Sequence, residues 1–131
     1  MQLQDNRIIT TYSFYLIMGG ALIYKFIDAL LIAIPQQEKY DFFNWLNVFL
    51  FLIAGLLLIL ASYNLLRNIS SAKVIGLIGL VFFFEAIGYY FVVVLVEYSG
   101  AVFSYVIKNF ILVILAFITL ALTVINWKKL P

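Results

Sequence analysis

Four ionisable residues stand inside otherwise apolar stretches of this chain: Lys25, Asp28, Glu85 and Lys108. In hydrocarbon such a residue costs roughly 2.5–3.5 kcal/mol on insertion scales, so it pairs, reaches for the interface or serves a site. Together the four sum to zero charge. Lys25 and Asp28 are three residues apart and share one face of a helix. Tyr89 follows Glu85 by four residues and can donate to its carboxylate. Ser104, Tyr105 and Lys108 line up in the same way, and Asn47 falls near the same level. The expected arrangement pairs Glu85 with Lys108 or Lys25, and Asp28 with the remaining lysine. Two chemistries fit this intramembrane polar cluster. Ion pairs can lock helices in register, with the long lysines also free to reach toward the interface. Alternatively the cluster binds or moves an ion, with Glu85 exchanging a proton for a cation. Glu85 is the sharper candidate, because a short carboxylate near the midplane cannot reach water.

The residue types that are missing narrow the chemistry further. The chain has no His and no Cys. That excludes bis-His haem, His-built metal sites, thiolate and Fe–S chemistry and disulfides. It also removes the nucleophile–base arrangements of most hydrolases. The expectation is a non-catalytic protein with no cofactor and no metal. Net charge is +2, a small excess that topology explains, so no nucleic-acid partner is expected.

The elements that position these residues follow from composition. Of 131 residues, 66% are hydrophobic and 11% charged, against about 45–50% apolar and about 25% charged in soluble domains. So small a body has too little polar surface to be soluble, and too much apolar surface to be disordered. Between Asp41 and Arg67 there is no charge, and Asn109 to Trp127 is likewise uncharged. Ile8 to Ile34 is broken only by Lys25 and Asp28, and Val74 to Val96 only by Glu85. Each stretch approaches or exceeds the roughly 20 residues that cross a bilayer. Helices are expected, since open strand edges cannot face lipid and the runs lack the alternation of barrel strands.

The fold class is therefore all-α: one integral membrane domain, a four-helix transmembrane bundle. Its helices are expected at about 8–34, 43–67, 72–97 and 101–127, with boundaries good to roughly 2–4 residues. Pro35 and Gln36–Lys39 end the first, Asn68–Ser71 turns between the second and third, and Ser99–Gly100 turns before the fourth. Short links imply an up-down-up-down order. Arg7, Arg67, Lys73, Lys128 and Lys129 all fall on one side, while the other has Lys39 as its only basic residue. The positive-inside rule then puts both termini in the cytoplasm, with an inner (cytoplasmic) membrane as the expected location. Trp45, Tyr40 and Tyr98 suit the outer interface and Trp127 the inner one. The first apolar stretch is too long for a cleaved signal peptide.

Glycines at Gly19, Gly20, Gly55, Gly76, Gly79 and Gly88 let helices approach closely. With depth counted at about 1.5 Å per residue, all four ionisable residues lie at the centre or in the outer half. That suggests a polar, outward-open pocket flanked by Phe82, Tyr89 and their aromatic neighbours. It would suit a hydrophobic or cationic small molecule. The expected partners are the lipid bilayer and other membrane helices, from a partner subunit or from the chain itself. The leading expectation is a small membrane protein acting through helix–helix association, as a complex subunit, accessory factor or homo-oligomer. The alternative is a small proton- or cation-coupled transporter or channel, acting as a dimer, with Glu85 as the coupling carboxylate.

Overall fold

The computed structural model describes residues 6–97, 100 and 102–131, with the side chains of Glu97, Val102 and Tyr105 left outside that description. The described chain is helical: α1 (Asn6–Ala33), α2 (Phe42–Leu66), α3 (Ala72–Glu97) and α4 (Val102–Ile125), with a 3-10 helix at Ile34–Lys39. All four α-helices are long and apolar enough to cross a membrane. Their bounds lie within two residues of those expected.

Local chemistry explains the ends. Pro35 lacks an N–H and disfavours helical geometry at the residue before it, so α1 stops at Ala33 and tightens into the 3-10 turn. Asp41 caps α2, its carboxylate accepting from the Asn44 N–H at 2.9 Å. At the other end of α2, Asn68 adopts φ 57°. The Asn68 N–H donates to the Leu65 carbonyl at 3.1 Å, and the Ile69 N–H to the Asn64 carbonyl at 2.8 Å. That pair of bonds is a Schellman ending, and Asn is the usual alternative to Gly at its left-handed position. It turns the chain into α3 in a few residues.

Successive helices run antiparallel around a square, α1 packing on α2 and α4, and α3 on α2 and α4. α1 and α2 approach closely where two glycines face each other. A Cβ on Gly19 would stand 2.9 Å from the Gly55 carbonyl oxygen, and one on Gly55 would stand 2.9 Å from the Gly19 carbonyl oxygen. Gly79 sits against Ala54 and Leu58 of α2. Gly76 receives the ring of Tyr15, which a Cβ would meet at 2.5 Å. Between lipid-solvated helices there is little hydrophobic drive, so these close contacts carry the association through dispersion and backbone proximity. Met18, Leu22, Phe51, Leu58, Leu80 and Phe83 fill the centre. Gly20 and Gly88 do not space helices within this chain: a Cβ at either would meet nothing within 4 Å.

The two ends of the bundle differ. At the end that holds the termini, the Tyr15 and Thr123 hydroxyls share a buried 2.6 Å hydrogen bond that ties α1 to α4. The Lys73 ammonium donates to the Trp127 carbonyl at 2.9 Å and stands 4.6 Å from the centre of its indole ring. At the opposite end, here called the far end, α4 leaves open space against its neighbours.

Candidate functional site

The far end is held by Asn44, a residue the sequence reading passed over. Its side-chain carbonyl accepts from the Tyr89 hydroxyl at 2.7 Å, and its backbone carbonyl accepts from the Tyr90 hydroxyl at 3.1 Å. Tyr90 stacks on Phe51 at 5.9 Å between ring centres. These contacts fix the α2–α3 side of a cavity of about 160 Å³. Lys25, Ala29 and Ile32 of α1, Phe51, Tyr90 and Lys108 line it, so all four helices contribute. Toward the far end it adjoins a vestibule of about 450 Å³ with which it shares Ile32, Tyr40 and Tyr90. Sideways, Lys25 and Lys108 also border a cleft of about 240 Å³ between α1 and α4, where Asp28 lies.

Three of the four expected ionisable residues thus come together. Asp28 Oδ2 and Lys108 Nζ stand 3.6 Å apart, their side chains 35% and 59% exposed. That is an open pairing between α1 and α4. Lys25 is half-buried, and its ammonium lies 6.0 Å from the centre of the Phe51 ring. At that distance the ring's negative face attracts the cation only weakly. No carboxylate lies within 4.0 Å of Lys25 among the described residues.

Glu85 is not with them, and the expected pairing of Glu85 with Lys25 or Lys108 is corrected. It is exposed on the outer surface of α3, about 20 Å along the helix from Ala72 and about 18 Å from Glu97. Among the described residues it makes no ion pair. The physical reason is helical phase: Phe83 is fully buried on the opposite side of α3, and two residues turn a helix by about 200°. The expected Tyr89–Glu85 hydrogen bond is corrected too, since the Tyr89 hydroxyl donates to Asn44. Asn47 is buried, its side-chain amide donating to the Phe43 carbonyl at 2.8 Å, and it does not line the cavity. The Tyr105 side chain and Tyr98 lie outside the described residues.

Around Glu85 the outer face of α3 has a regular order. Val74, Ile78, Val81, Val92 and Leu95 are all exposed, with Glu85 and half-buried Gly88 between them. Their spacings alternate four and three, the heptad seam of a left-handed helix pair. Glu85 is the polar residue in the middle of that seam. The outward face of α4 is apolar at Phe103, Ile107, Ile111, Ile114, Ile118 and Ile125, with exposed Ser104 and Lys108 beside it near the start of the helix and no polar residue at its middle.

Comparison with protein-family models, with curated proteins and with solved structures finds no match to this chain.

Proposed function

We propose that the protein acts through helix–helix association in a membrane and has no catalytic role, and that the surface it uses is the outer seam of α3. One observation carries this reading: Glu85 lies at mid-span on the surface, among mostly β-branched residues at heptad spacing, with no ion-pair partner among the described residues. A carboxyl there is costly in lipid and is relieved by a second helix. The seam is self-complementary, so the partner we favour is a second copy. A two-fold axis at Glu85 brings two carboxyls together, where a shared proton supplies an interhelical hydrogen bond. The single polar position then sets register, as it does in coiled coils. In this reading both termini face the cytoplasm and the membrane is an inner one, because the basic residues gather at the termini end. The transporter alternative draws no support from the position of Glu85, which is outside the cavity.

The absence of Cys makes the test clean. Single cysteines at Val81→Cys or Val92→Cys are expected to give disulfide-linked dimers in native membranes, and Ile114→Cys on α4 is not. Glu85→Leu is expected to lower the cross-linked fraction several-fold, and Glu85→Gln, which keeps the hydrogen bond, to lower it less. Equal cross-linking from both faces would sink the proposal. A defined larger chain cross-linked to the α3 positions would replace the second copy with a different partner.

A further inference from the structure

The cavity at Lys25 carries a second inference, independent of the α3 seam. Its immediate charges are Lys25, Lys108 and Asp28. Lys108 spends its charge on Asp28 at 3.6 Å, so one positive charge is left, and it belongs to Lys25. That ammonium stands beside an aromatic ring and an apolar wall of Ala29 and Ile32. It lies about 12 Å along α1 from Ala33. An ammonium within a spanning segment is expensive; Asp28 offsets this only in part, because it sits closer to Lys108, and an entering anion removes the remainder. From the sequence, a hydrophobic or cationic small molecule was expected in the outward pocket. Once Glu85 lies elsewhere, the balance of charge is positive, and the ligand sign reverses.

Size and shape narrow the class. A cavity of about 160 Å³ holds a small head, and the neighbouring cleft between α1 and α4 continues from it past Leu112 and Leu115. We propose that this site binds a single-chain amphiphile with a singly charged carboxylate head. The carboxylate lies against Lys25 and the hydrocarbon chain in the α1–α4 cleft. Asp28 offsets the charge of Lys108, which keeps the site selective for one negative charge.

Dodecanoate is the probe, and its retention by the full chain in neutral detergent is read by native mass spectrometry. One bound dodecanoate per chain is expected for the wild type. Lys25→Met is expected to lower retention at least ten-fold, while Lys25→Arg retains it. Asp28→Asn leaves Lys25 in place and adds a free positive charge, so retention is expected to rise. It also guards against a folding defect in the Lys25 variants. Dodecanol, lacking the charge, and dodecyltrimethylammonium, with the opposite charge, are expected not to be retained. Equal retention of either, or of dodecanoate by Lys25→Met, overturns the proposal. Competition by acetate as effective as dodecanoate would overturn the amphiphile and leave only a site for a free small anion.

Discussion

The termini end and the far end of this bundle both carry polar groups, yet they use them oppositely. At the termini end every helix is drawn in. Tyr15 fills the space that Gly76 leaves and bonds Thr123, and Lys73 clasps Trp127. At the far end the α2–α3 side is fixed by Asn44, but α1 and α4 stand apart around Lys25, Asp28 and Lys108. The difference teaches what makes a membrane bundle tight. Uncharged hydroxyls seated on glycine allow helices to meet, because small groups leave no gap and need no counter-ion. Lysines within the span need room for long side chains and for solvation or a counter-charge, so α1 and α4, which carry Lys25 and Lys108, separate, whereas Lys73, at the start of α3, meets a carbonyl at the helix end.

The largest effect is expected where the closed end depends on a missing side chain. Gly76→Ala puts a Cβ at 2.5 Å from the Tyr15 ring, and that ring is fully buried and hydrogen-bonded. Overpacking of this kind costs about 1–3 kcal/mol, so the melting temperature in detergent is expected to drop clearly. Gly20→Ala, facing open space, is expected to leave it unchanged or slightly raised. A Gly76 variant as stable as the Gly20 variant would mean that the termini end is not tightly closed.

Next in size is the Tyr15–Thr123 link. Tyr15→Phe keeps the ring on Gly76 and removes only the hydroxyl. A double-mutant cycle with Thr123→Val is expected to give a coupling of about 0.6 kcal/mol, the average for interhelical hydrogen bonds in membranes, and no more than about 1.7 kcal/mol. A coupling near zero would assign the closure of this end to packing alone.

Much of this was legible in the sequence, and the exceptions share a cause. Helix ends were readable because Pro35, Asp41 and Asn68 act locally. The direction Glu85 faces was not, because α3 is apolar on every side. Such a helix has no polar stripe to show which face meets the core. Phe82, Phe83 and Phe84 surround the helix and cancel any phase. The one usable signal was the four-three spacing from Val74 through Leu95, which places Glu85 in a seam of its own. Tyr15–Thr123 and Asn44 were passed over for a different reason. Uncharged polar residues in a span are cheap enough to be anywhere, so only the partner across the bundle gives them meaning.

The smallest effect is expected at the pair that looks most like a structural tie. Asp28 and Lys108 are 3.6 Å apart with substantial exposure on both sides, and an open pair of this kind contributes about 0–1 kcal/mol. Asp28→Asn leaves two lysines near one another, but Lys108 is already 59% exposed and can turn outward. Its ammonium sits on α4 about 9 Å from Val102, within reach of the interface. The melting temperature of Asp28→Asn is therefore expected to shift by no more than a few degrees, and that of Lys108→Met by no more. Should Asp28→Asn destabilise the bundle as much as Gly76→Ala, the far end would be held shut by charge. The separation of α1 and α4 would then be a tension between two tied helices instead of an opening.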